Sequence, residues 1–139
     1  MKSQVLIVAS LCAAIGLATV PAYGQRGGVK AKVPFNFAVS GKTFPAGEYT
    51  MIAASHQVRI EDAEGRLVAM VLANDISGRS AGINGQIIFH CYSDRCFLSE
   101  LWSPRQDNGR QLLTSRIEAD LAKQEGRKYF AVLGEKPRQ

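Results

Sequence analysis

The sequence is poor in the residues that most often carry chemistry. It holds only two histidines, three cysteines and one tryptophan. The histidines, His56 and His90, lie far apart in the chain. A structural zinc site needs four ligands in close pairs, so neither a metal nor any other cofactor is expected. There is no G-x-S-x-G elbow, no H-E-x-x-H helix and no glycine-rich phosphate loop. Like charges form no runs, and the basic residues are not interleaved with aromatics, so nucleic acid is not an expected partner. Internal repeats and low-complexity tracts are absent. So is any apolar stretch of about 20 residues, the length a membrane-crossing helix takes.

The N-terminus carries a different signal. Met1-Lys2-Ser3-Gln4 is a short basic opening, and a mostly apolar run follows from Val5 to Ala18. Then comes "TVPAYGQ", where Ala22 and Gly24 stand at −3 and −1 of a cut before Gln25. Small residues at those places suit the shallow pockets of signal peptidase, so residues 1–24 read as a secretory signal peptide. Leu11 before Cys12 is too large for a lipid-attachment site, so Cys12 is expected to leave with the leader. The mature chain, 25–139, is long enough for one domain and too short for two. The formal charge of +5 falls to +4 without Lys2 and is scattered over the chain.

In "VKAKVPFNFAV" Val29, Ala31, Val33, Phe35, Phe37 and Val39 share one parity, which is the period of a half-buried strand. Pro34 on the other parity places that strand at an edge. Pro45 and Gly47 supply a hairpin turn before a strand from Glu48 to Ile52. "HQVRIED" and "RLVAMVLA" are two more strands, the second apolar enough to be central, joined by a turn at "AEG". The carboxylates Glu61, Asp62 and Glu64 read as the solvated rim of that turn. "NDISGRSAGINGQ" and "SPRQDNGR" read as loops. "QIIFHCY" and "RCFLSELW" are strands on either side of Ser93-Asp94, and "KYFAVL" is a last strand or packed tail. Ser115 followed by Glu118 is a capping box that opens a helix Ser115–Glu125, docked by Ile117 and Leu121 and ended by Gly126. The pattern predicts a mainly β fold. It is a small antiparallel β-sandwich or open barrel of about seven strands with one short C-terminal helix.

Three stretches, "VPFNFAVSGKTFPAGEYTM", "IIFHCYSDRCFLSELWSP" and "GRQLLTSRIEADLAK", together resemble a family of small exported bacterial β-rich proteins with no assigned activity. The resemblance covers most of the mature chain and brings no catalytic residue with it. Positions 91 and 96 are not usually cysteine in that pattern, which makes the pair a local addition. The "PAGEYT" turn also resembles turns of transthyretin-like and other Ig-like sandwiches.

The stretch "HCYSDRCF" concentrates what chemistry there is. Zinc lacks ligands here, and His90 and Cys91, adjacent on a strand, point to opposite faces. A redox pair is more often C-x-x-C at a helix N-terminus. With Ser93 and Asp94 as the two turn residues, Tyr92 pairs with Arg95 and Cys91 falls directly opposite Cys96. That spacing and an oxidising envelope favour a disulfide. Ser93, His90 and Asp94 are too close on one turn to aim at each other as a catalytic triad. The same register puts Ile87, Phe89, Cys91, Cys96, Leu98 and Trp102 on one face and Ile88, His90, Phe97 and Leu101 on the other. Tyr92 and Trp102 are candidates for a sugar-stacking surface beside His90, against the alternative of core or rim packing.

Two functional readings follow. The first is an exported, non-catalytic β-domain that binds or scaffolds an envelope polymer or protein, with an apolar surface patch beside "NDISGRSAGINGQ". The second is a small envelope hydrolase, or an inhibitor of one, which needs a cleft holding a histidine or carboxylate of shifted pKa. Export is checked directly: N-terminal sequencing of protein recovered from its host is expected to start at Gln25. A mature chain that keeps Val5–Ala18 would overturn the assignment.

Overall fold

The fold was analysed in a computed structural model that describes residues 28–79 and 81–135; the expected leader, with Cys12, lies outside the described residues. The described chain forms ten strands and one helix: β1 (Val29–Val33), β2 (Phe37–Val39), β3 (Lys42–Phe44), β4 (Gly47–Ala54), β5 (Gln57–Glu61), β6 (Leu67–Ser77), β7 (Gln86–Tyr92), β8 (Arg95–Trp102), β9 (Asn108–Leu112), α1 (Arg116–Gln124) and β10 (Lys128–Leu133). It is mainly β, as the periodicity predicts, and the sheet is open. Its main path runs β1-β4-β5-β6-β9-β8, with β2-β3 beyond β8 and with β7 pairing both β8 and β10.

Three strands more than expected have three separate causes. Pro34 splits the first predicted strand: β1 pairs antiparallel with β4, while β2 runs parallel to β8, with Phe37 opposite Cys96. Proline has no N–H for a ladder and a fixed φ, so the chain changes partner there while keeping its buried parity. The second addition, β3, pairs with β2 across a two-residue turn in which Ser40 and Gly41 have φ of 50° and 80°. Positive φ at both central residues is the geometry that matches strand twist. The third, β9, emerges from "SPRQDNGR". It pairs with both β6 and β8.

β9 also explains why β6 is longer than its apolar run. Leu67–Leu72 pairs with β5, and Ala73–Ser77 pairs with β9, so the polar end "NDIS" is strand rather than loop. Partners supplied by the tertiary fold override its low β propensity. β6 is central, as its apolar run suggests, but only one of its faces is buried: Val71 and Ala73 are buried, while Met70 and Leu72 are exposed at 53% and 65%.

One continuous core is built from Val29, Ala31, Val33, Phe37, Met51, Val58, Ile60, Ile87, Phe89 and Leu101 among others. Phe37 is its aromatic centre. Its ring stacks on Phe44 at 5.6 Å and meets Tyr49 and Phe89 edge to face at 5.1 and 5.3 Å. Pairs of this geometry stabilise beyond the area they bury, by about 0.5–1.5 kcal/mol each.

The β7–β8 hairpin has the expected register at its turn: Tyr92 opposite Arg95 and Cys91 opposite Cys96. The two cysteines form a disulfide with S–S 2.04 Å and Cα–Cα 4.0 Å. Further along, the register shifts. Ile88 pairs with Glu100 but Phe89 pairs with Leu98, which leaves Ser99 as an extra residue. A bulge of one residue reverses the parity beyond it. Leu101 therefore enters the main core, and Trp102 turns to the other face, packing with Ile88 and Ala81. The straight alternation of the sequence reading had these two side chains exchanged.

Gly109 lies opposite Trp102. A Cβ added there would meet Leu101 O at 2.7 Å and the indole ring at 2.8 Å. Gly109→Ala is expected to lower stability by about 1–3 kcal/mol through overpacking, measured by urea denaturation. The emission of the single tryptophan is expected to shift as its packing is disturbed.

Candidate functional site

The three side chains that the sequence offers as a binding surface are not on the surface. Tyr92, Trp102 and His90 are exposed by only 1%, 3% and 7%. Trp102 lies under the β6–β7 loop with Ala81 and Ile88, and its indole N–H donates to Glu100 Oε2 at 2.8 Å. His90 and Tyr92 are contacted from helix α1 instead. Packing, not a stacking platform, accounts for all three.

What α1 brings to them is Glu118, the buried residue of that helix. Ser115 caps α1 by accepting the Glu118 N–H at 3.2 Å. The Glu118 side chain does not complete the reciprocal half of the capping box expected from sequence. Its Oε1 lies 3.2 Å from His90 Nδ1 and accepts the Tyr92 hydroxyl, also at 3.2 Å. The carboxylate is an acceptor, so His90 carries its proton on Nδ1 in this contact. Arg127 Nε donates to the Tyr92 oxygen at 2.9 Å, and the Ser93 hydroxyl donates to Glu125 Oε2 at 2.8 Å. Tyr129 closes the other side of His90, edge to face at 4.8 Å.

This polar cluster replaces the apolar docking expected for the helix. Ile117 is 48% exposed and Leu121 is only half-buried. Gly126 does not end α1 in a left-handed cap either; Glu125 does so with extended backbone. Burial, opposed by the Arg127 hydrogen bond and reinforced by the Glu118 carboxylate, holds the Tyr92 phenol above its usual pKa. The neutral phenol is the form that donates to Glu118. As pH rises beyond about 10, where free phenols ionise, this contribution to stability is lost.

A histidine bonded to a carboxylate resembles the orienting half of a hydrolytic triad. Here the outer nitrogen, His90 Nε2, is buried without a hydrogen-bond partner, and Ser93 faces Glu125. The cluster fastens a helix to a sheet. Among the described residues no group of three or more His, Cys, Asp and Glu side chains is arranged to hold a metal. No described helix is long and apolar enough to cross a membrane.

A second feature lies where the β6–β7 loop meets the β8–β9 turn. Gly82, Ile83, Arg105, Gln106, Asp107 and Asn108 line an open cleft of about 550 Å³. The two segments are stitched by backbone bonds, Arg105 N to Gly82 O at 2.8 Å and Gly78 N to Asp107 O at 3.0 Å. Gly85 anchors the loop on the sheet, with φ of 79° and no room for a Cβ against Trp102 O at 2.7 Å. Arg105 itself sits at φ of 60°, a conformation that costs a non-glycine residue energy and persists only where its surroundings impose it. Ile83 projects from the loop at 68% exposure. The apolar group expected beside this loop is thus a single side chain within a polar rim. Nothing in the sequence marked the turn 103–108 as the loop's partner, because that pairing depends on β9.

No protein-family model matches the chain, and no curated protein or solved structure is significantly similar to it.

Glu118→Ala is expected to destabilise the protein by about 1–3 kcal/mol, since it leaves the buried Tyr92 and His90 donors unpaired. Leu121→Ala is expected to cost less, because the cavity term of a fully buried leucine does not apply to a half-buried one. Paired urea melts check the order. A larger loss for Leu121→Ala would mean that the helix docks by its apolar stripe.

Proposed function

We propose that the chain is an exported, non-catalytic β-domain that binds a component of the cell envelope, and that the Ile83–Arg105 cleft is its recognition surface. The observation that carries this reading is the cleft's construction. Two loops on one sheet are bonded to each other before any ligand arrives, so little ordering entropy is lost on binding. Ile83 offers an apolar anchor, and Arg105, Gln106, Asp107 and Asn108 surround it with planar polar groups. Such a rim suits a glycan chain or an extended loop of a protein, whose donors and acceptors lie close together. The Cys91–Cys96 disulfide supports an oxidising compartment, which agrees with the leader read at residues 1–24. The hydrolase alternative draws no support from the His90–Glu118 pair, whose outer nitrogen is enclosed.

The test is retention of envelope material by the immobilised protein, using purified cell-wall polymer and a detergent extract of envelope proteins. A component held by the wild type and lost by both Ile83→Asp and Arg105→Ala supports the reading. Retention unchanged by either substitution, or no retention from either source, overturns it.

A further inference from the structure

Arg105 and Asp107 are opposite charges two residues apart on the β8–β9 turn. Both are exposed, and they are the charged members of the cleft lining, beside the neutral Gly82, Ile83, Gln106 and Asn108. Side chains so close in sequence and so free in solvent can pair with each other. These do not: among the described residues neither takes part in an ion pair or a side-chain hydrogen bond. Their main chains are held instead by the facing loop, Arg105 N on Gly82 O and Asp107 O on Gly78 N. A cation and an anion are thus fixed at one cleft, and neither neutralises the other.

Such a lining selects by charge. A simple anion that meets Arg105 is repelled by Asp107, and a simple cation that meets Asp107 is repelled by Arg105. A neutral ligand uses neither charge. A ligand with a carboxylate and an ammonium on one small frame meets each with its opposite. An α-amino acid is the smallest such frame, and its side chain is left to face Ile83, exposed at 68%. The amides of Gln106 and Asn108 both donate and accept, as an adjoining peptide bond requires.

We infer that the cleft takes a zwitterionic amino-acid unit with an apolar side chain, its carboxylate on Arg105 and its ammonium on Asp107. This rests on the reading of the cleft as the recognition surface, and narrows its ligand to one chemical class. Such a unit reaches the cleft either as a free amino acid or on a short peptide, borne by a wall polymer, that keeps both groups free. The cleft is open and its charges are screened by solvent. Affinity is therefore expected to be weak, and ratios between related probes carry the test.

Titration of the mature protein with leucine, followed by the backbone NMR shifts of residues 82–83 and 105–108, is expected to saturate. N-acetylleucine lacks the ammonium and leucinamide lacks the carboxylate; each is expected to bind at least about threefold more weakly than leucine. Asp107→Asn should remove the preference for leucine over N-acetylleucine and keep that over leucinamide. Arg105→Gln should do the reverse. Acetylating the amines of purified wall polymer separates the two sources. Retention lost on acetylation assigns the unit to the polymer; retention that survives it, with leucine still bound, assigns it to a free ligand. Leucine that does not saturate the cleft, or analogues that bind the wild type as tightly as leucine, overturn the inference, whether or not the variants fold. If envelope material is then still retained through Ile83 and Arg105, the recognition surface stands and the ligand class alone falls. If retention is absent too, both fall.

Discussion

β8 has three neighbours, and the rest of the architecture follows from how it serves them. Along one edge it pairs with β7 throughout; along the other it gives its first half to β2 and its second half to β9. The extra residue at Ser99 lies between those halves. The bulge lets one strand present Cys96 and Leu98 to the core before it and Leu101 after it, which uninterrupted alternation would not allow. It also turns Trp102 outward, and the β6–β7 loop settles over the indole. The loop that carries Ile83 is thus seated, through Ala81, on a side chain whose direction a one-residue irregularity sets.

Much of this was legible in the chain, and the rest was hidden for identifiable reasons. Period-two alternation marks β1, and a two-residue turn sets the register that brings Cys91 to Cys96. Both signals are local, and both hold. β3 and β9 are short and polar, and they become strands because neighbours provide ladder partners. No local pattern records that. The Ser99 bulge is invisible because Leu98, Ser99, Glu100 and Leu101 read equally well with either parity. Glu118 carries a plausible local job, the capping box, and that job concealed its contact with His90 and Tyr92, distant in sequence. Tyr92 and Trp102 show that aromatic content near a turn says little about exposure.

The two candidate regions differ in physical character. Beneath α1, charged and polar groups are enclosed and spend their hydrogen bonds on one another, an arrangement that fixes position and offers nothing to a ligand. Beside Ile83, two backbone bonds join the loops, and among the described residues Arg105, Gln106, Asp107 and Asn108 make no side-chain hydrogen bond. Recognition needs the second arrangement: a rigid frame with uncommitted groups.

β6 belongs to both halves of the sheet. Its first part completes β1-β4-β5, and its second part joins β9 and β8. Withdrawing this strand takes one ladder from each half, that with β5 and that with β9, so the two halves are expected to lose structure together. The units expected to open first are a hairpin or the helix at the rim of the sheet rather than either half of it. Such coupling disfavours half-built states in which one part of the sheet would wait with its apolar face uncovered.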